Sequence, residues 1–126
     1  MNPLEAYAPG GSGITVGRLS IDKTFEGKLE ATSVGEMLSA TTPVKGSAGY
    51  VAIEQVTGTL SGRKGSFILQ HYGTMSHNNQ RLILEVLSDS GTDQLVGLSG
   101  KMTIDVKEGA HRYTFDYDLP EPSRND

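Results

Sequence analysis

Between residues 111 and 119 the chain alternates without a break: His111, Tyr113, Phe115, Tyr117 and Leu119 are separated by Arg112, Thr114, Asp116 and Asp118. Successive side chains of a β-strand point to opposite faces, so this pattern marks a half-buried strand. Met102, Ile104 and Val106 alternate with Thr103, Asp105 and Lys107 in the same way. Leu19, Ile21 and Phe25 alternate with Ser20, Asp22 and Thr24, although Lys23 interrupts their apolar side. Further strands are predicted over 29–40, 49–60, 66–75 and 81–87, with 94–97 either a short extra strand or a bulged extension of the Met102 strand. Residues 34–40 lack proline and could form two helical turns, but so short a helix has little stability of its own. They read as strand.

Glycine supplies 16 of the 126 residues, well above the usual ~7%. The glycines recur between the β-rich segments, where turns and bulges need them. Seven or eight strands without helices imply a sandwich or a barrel. Consecutive strands are separated by only two to five residues almost everywhere, with 46–49 and 76–79 as the longer polar connections. That spacing suits an up-and-down meander, so the expected fold is an all-β, antiparallel, eight-stranded barrel. Residues 14–119 form its single domain, 1–13 a flexible or loosely docked arm, and 120–126, with two prolines, a disordered tail. A chain of this length can bury about two-thirds of its surface in one core.

With no cysteine in the chain, a disulfide framework, a thiolate metal site and a cysteine nucleophile are all excluded. The first residues have neither the basic start nor the apolar run of a secretory signal, and the apolar stretch 82–87 is broken by Glu85. A cytoplasmic protein with no membrane partner is expected. The net charge is −4, and the basic residues are scattered rather than clustered, which argues against nucleic acid as a partner.

The turn between Leu60 and Gly65 allows a register to be drawn. A loop of two residues (62–63) or four (61–64) pairs positions whose numbers sum to 125, placing Val56 opposite Leu69 and Glu54 opposite His71. Tyr50, Ala52, Glu54 and Val56 then share a face with Phe67, Leu69, His71 and Gly73. If that face is interior, both the carboxyl and the imidazole should have shifted pKa values. Burial raises the carboxyl's, and each charge favours the ionised form of the other. Such a pair could do acid–base work near neutral pH, although most buried carboxylate–histidine contacts are merely satisfied polar pairs. The opposite face carries Val51, Ile53, Gln55, Ile68, Gln70 and Tyr72. It is apolar enough to suggest cover by a partner subunit or the N-terminal segment, with a homo-oligomer slightly favoured.

Other motifs carry less. His71, His77 and His111 have no spacing suited to a metal, and no cofactor is expected. Residues 97–101, Gly-Leu-Ser-Gly-Lys, lack the spacer and the Ser/Thr of a phosphate loop. No serine sits in a Gly-x-Ser-x-Gly elbow. Tyr113 and Tyr117 fall on the buried side of their strand, where their hydroxyls must find partners.

The runs 49–62 and 65–75, with 90–100 and 113–117 beyond them, resemble a family of small bacterial proteins of unknown function, over roughly 17–119. Members of that family are similar in fold to the allene oxide cyclase barrel, an antiparallel eight-stranded structure also seen in plant dirigent proteins. Gly91-Thr92, Gly97 and Gly100 resemble the glycine signature of those plant barrels, with Ser90 and Asp93 in place of two of its glycines. The resemblance implies the barrel and leaves function open.

Three functional readings follow. The first is a barrel binding a small apolar or amphipathic molecule, its pocket lined by Tyr50, Glu54, Phe67, His71, Tyr113 and Tyr117. The second is an isomerase or cyclase in the same cavity, with Glu54 as acid or base and His71 as its partner. The third is a solid-cored structural module that assembles through its apolar outer face.

Overall fold

The computed structural model describes residues 1–77, 79–107 and 110–120, the side chains of 105–107 and 110–111 excepted. It contains eight strands: β1 Asn2–Leu4, β2 Thr15–Phe25, β3 Leu29–Thr41, β4 Ala48–Leu60, β5 Arg63–Ser76, β6 Asn79–Val86, β7 Ser99–Lys107 and β8 Ala110–Asp118. They form one sheet in sequence order, every neighbour antiparallel. The meander read from the short connections is present, and residues 34–40 are strand, as part of β3. Among the described residues, no helix is long and apolar enough to cross a membrane.

Period-two patterning becomes two faces. In β4, Ala52, Glu54 and Val56 are buried while Val51, Ile53 and Gln55 are exposed; in β5, Phe67, Leu69 and His71 are buried. The inner face packs Phe25, Leu29, Val56, Leu60, Phe67, Leu69, Leu84 and Met102 into one core, joined by Leu95 and Leu98 from the β6–β7 connection. β8 covers this core with Tyr113, Phe115 and Tyr117. Phe25 meets Tyr113 edge-on at 5.4 Å between ring centroids, and Phe67 stacks on Phe115 at 5.9 Å. The sheet is therefore curled far enough for its last strand to touch its second.

Four expectations are corrected. The first is closure. Among the described residues no strand pairing joins β8 to β1 or β2, and β6 meets β7 only at Glu85↔Lys101. The curled sheet is not a hydrogen-bonded barrel, because side chains rather than backbone bridge its seam. The second concerns connection length. Residues 87–98 form the longest link between strands β2 to β8, and they do so for a structural reason. β6 pairs β5 only from Leu69 to Ser76, which leaves the earlier edge of β5 without a strand. Gln94 Oε1, Thr92 Oγ1 and Ser90 Oγ accept from the backbone N–H groups of Lys64, Ser66 and Ile68 at 2.8–3.0 Å, taking the place of a missing strand. Gly91 permits this path, because a Cβ there would collide with the Leu95 carbonyl.

The third correction lies inside that link. Residues 94–97 are not a strand; Asp93–Leu95 is a short 3-10 helix, which drives Leu95 into the core at 1% exposure. The fourth is the β4–β5 register. Leu60 pairs with Arg63 and Ala48 with Met75, so opposite positions sum to 123 rather than 125. The turn is Ser61-Gly62, with φ of 49° and 81°. A two-residue hairpin of this type needs positive φ at both positions, and Gly62 meets that demand where Arg63 would be strained. Moving the centre by one residue shifts the register by two, so every side chain keeps its face.

Residues 2–4 of the predicted arm lie along β2 as an edge strand, Asn2 opposite Ser20. Of the predicted tail, residues 121–126 lie outside the described residues, as does the side chain of His111. Among the described residues nothing covers the outer face: Leu38, Val51, Ile53 and Tyr72 are each close to half exposed.

Candidate functional site

Among the described residues the inner face holds three buried polar residues, Ser33, Glu54 and His71, at 1%, 0% and 4% exposure. The register fixes their relation. Glu54 lies opposite Gly35 on one side and Leu69 on the other, while His71 lies opposite Ala52. Glu54 and His71 are thus diagonal neighbours rather than a facing pair. His71 Nε2 stands 3.7 Å from Glu54 Oε2, beyond hydrogen-bond distance.

The nearer partner of Glu54 is Lys23, whose Nζ lies 2.9 Å from Oε2. Lys23 is the residue that breaks the apolar side of β2, and its side chain turns inward to Glu54. β2 and β4 are two strand spacings apart, about 10 Å, so the ion pair must form across β3. It can because β3 offers only Ser33 opposite Lys23 and Gly35 opposite Glu54. Small side chains there leave room for two long ones to meet above them.

Burial pushes the Glu54 carboxyl up, but His71 and Lys23 together outweigh it and leave the group below its ordinary value. The pairing is incomplete: both Glu54 oxygens, Ser33 Oγ and His71 Nε2 have no hydrogen-bond partner among the described residues, Lys23 standing at ion-pair distance only. Tyr50 approaches His71 at 6.4 Å between rings. Burial and then the Glu54 charge raise its hydroxyl pKa. Its ring fits because Gly73 lies opposite; a Cβ at that position would strike it.

Glu54 and Lys23 stand on the wall of a cavity of about 760 Å³ between β2, the β2–β3 turn, β7 and β8. Phe25, Leu29, Leu60, Leu84, Met102, Ile104, Tyr113, Phe115 and Tyr117 supply the apolar lining. Thr24, Glu26, Lys28 and Arg112 are the exposed polar residues along its rim. The two tyrosines close the seam: Tyr113 Oη donates to the Glu26 carbonyl at 2.8 Å, and Tyr117 Oη is 2.8 Å from Ser61 Oγ. Burial raises the Tyr113 pKa, and the nearby Glu26 charge adds to it. Tyr113→Phe should therefore cost about 1 kcal/mol, the usual net worth of such a bond, read as a lower urea midpoint at unchanged m-value.

The structure distributes the six candidate residues over four places. Glu54, Tyr113 and Tyr117 line the 760 Å³ cavity. Tyr50 lines a smaller one of about 290 Å³ at the other end of the inner face, beside Met37, Met75 and Leu82. Phe67 is core at 1% exposure, and His71 sits between the two cavities, lining neither. Lys23, Phe25 and Phe115 were not among the candidates. The one sequence signal for Lys23 was its intrusion on an apolar face.

A family model described as "Protein of unknown function (DUF3224)" matches residues 1–117. The chain belongs to the DUF3224 family. It is similar to the crystal structure of a DUF3224 protein of unknown function from Shewanella oneidensis MR-1, at 56% identity and a TM-score of 0.92. That likeness covers 97% of this chain and 90% of the other. No curated protein matches. The resemblance to a bacterial family of unknown function is thereby confirmed, and the DUF3224 match runs through every strand that carries a site residue.

Proposed function

We propose that this DUF3224 protein binds a small apolar or amphipathic molecule in the cavity between β2 and β8. One observation carries the reading: a 760 Å³ space walled by aromatic and aliphatic side chains has a charged pair, Lys23–Glu54, set into its wall. Ligand sites combine a mostly apolar lining with a few placed polar groups in this way. The likeness to the allene oxide cyclase barrel belongs to the same proposal: side chains bridge the seam that backbone pairing would close in a full barrel.

The test is calorimetric melting with a panel of apolar amphiphiles. A ligand at about a hundred times its Kd should stabilise the fold by about 2.7 kcal/mol, a rise in Tm of roughly 10 °C for a domain of this size. Ile104→Trp, which fills the cavity, should abolish the shift. Melting unchanged across the panel would remove the reading.

The Glu54 carboxylate, on the wall with neither oxygen hydrogen-bonded, favours a second reading, an isomerase- or cyclase-type enzyme with Glu54 as the proton-transfer group and His71 as its neighbour. Mass spectrometry of recovered ligand separates the two. A binding protein returns it unaltered, whereas an enzyme returns an isomer and loses that ability in Glu54→Gln.

We also infer that a second copy covers the outer face. Leu38, Val51, Tyr72 and Ile83 stand side by side across β3, β4, β5 and β6, with Ile53 in the next row. Ile53→Lys should convert the assembly to monomers in light scattering while the monomer keeps its β-rich circular dichroism, its Tm no longer rising with concentration; a wild-type chain already monomeric at high concentration would refute this.

A further inference from the structure

Glu54 is a fully buried carboxylate that meets Lys23 through one oxygen only, and neither oxygen has a hydrogen-bond partner among the described residues. Lys23 Nζ lies 2.9 Å from Oε2 as its counter-charge, and Glu54 lines the 760 Å³ cavity, where Oε1 is the oxygen not facing Lys23. An ionised carboxylate can only accept hydrogen bonds, and a buried acceptor left without a donor is costly. Whatever fills the cavity is therefore selected for a donor at one point.

The charge around that point narrows the donor. Lys23 already neutralises Glu54, and the rim adds Lys28 and Arg112 against Glu26 alone. A cationic head would meet a site that is neutral at its base and positive at its rim. An anionic head would bring no donor and would face the carboxylate. A neutral hydroxyl satisfies Oε1 without adding charge, and its apolar body has Phe25, Tyr113, Phe115 and Tyr117 to pack against.

We propose that the ligand is a neutral amphipathic alcohol, its hydroxyl donating to Glu54 Oε1 and its apolar body lying against the aromatic wall of the cavity. This rests on the binding reading above and adds the chemical class to it.

Titration calorimetry with octanol and its isomer heptyl methyl ether tests it on the full chain. The two have equal size and nearly equal apolar surface, but only the alcohol can donate. Octanol should bind about tenfold more tightly, as a hydrogen bond to a charged acceptor implies. Glu54→Gln should reduce that preference. Lys23→Met with Glu54→Met, which removes both charges at near-constant volume, should abolish it. Equal binding of alcohol and ether by the wild type would overturn the donor requirement while leaving the binding reading intact. So would a tenfold preference that survives in the double variant. If neither compound binds up to its solubility limit, the cavity reading falls and this one with it.

Discussion

Replacing Lys23 with methionine is expected to destabilise the protein by about 3 kcal/mol, although a charge has been exchanged for an apolar side chain of similar length. The figure sits at the low end of the range for stripping one partner from a buried ion pair, because the Lys23 side chain is itself 36% exposed while that of Glu54 is fully buried. The cost lies less in the attraction lost than in the carboxylate left behind with no counter-ion within hydrogen-bond distance. Adding Glu54→Met to the same chain should therefore restore much of the stability, since well-packed apolar groups often replace a buried pair at little cost. Equilibrium urea unfolding of wild type, both single variants and the double closes the cycle. Additive losses in the double variant would show that the two residues do not act together.

The same pair fixes the sign of the acid response. In the folded wild type the Glu54 pKa lies below its unfolded value, which is about 4.3. Its contribution is thus complete above that value and is lost as pH falls through the folded one. In Lys23→Met, burial opposes ionisation with only His71 nearby to offset it, so the folded pKa should rise above the unfolded one. The variant's deficit should accordingly shrink on acidification from neutral pH to about pH 4. A deficit independent of pH would mean that Glu54 keeps another counter-charge.

How much of this the chain disclosed depends on how far apart the partners lie. Alternation within one strand was enough to sort residues onto two faces, because the period of two is a local property of the backbone: Glu54 and His71 shared a face as read, but which face was interior stayed open until the structure showed both buried. Their pairing was misdrawn because register follows the turn, and a turn centred on Ser61-Gly62 rather than Gly62-Arg63 differs by one residue in a glycine-rich stretch. The error preserved the face and moved His71 from opposite Glu54 to diagonal from it. Lys23 was harder. Its meeting with Glu54 spans β3, so no adjacent-strand argument finds it; its own intrusion on an apolar face marks Lys23 but not its partner, and the small residues Ser33 and Gly35 between them show the crossing only once the register is known. Closure was overread for a comparable reason. Strand count and short connections predict a meander, but whether its ends pair depends on 87–98, which lies along β5 through side-chain acceptors that no periodicity announces.

Phe67 and Tyr113 were both assigned to a pocket from sequence, and the structure gives them different tasks that a pair of substitutions should resolve. Phe67 is 1% exposed, stacks on Phe115, and does not line the cavity. Phe67→Ala should cost about 3–5 kcal/mol, the range for truncating a buried aromatic that leaves a void behind. That is the largest loss expected of any single change considered, and enough to threaten folding in a domain of ordinary stability. Tyr113 is on the wall, and Tyr113→Phe removes only the hydroxyl that ties β8 to the β2–β3 turn. Its stability loss should be near 1 kcal/mol, while opening of the seam should appear as faster hydrogen exchange confined to β8 and residues 26–29. Under stabilising osmolyte, Phe67→Ala should recover amphiphile binding once folded, because the wall of the cavity is intact. If Phe67→Ala abolishes binding in the folded state, Phe67 belongs to the ligand site, and the division between a packed end and an open end of the inner face is wrong.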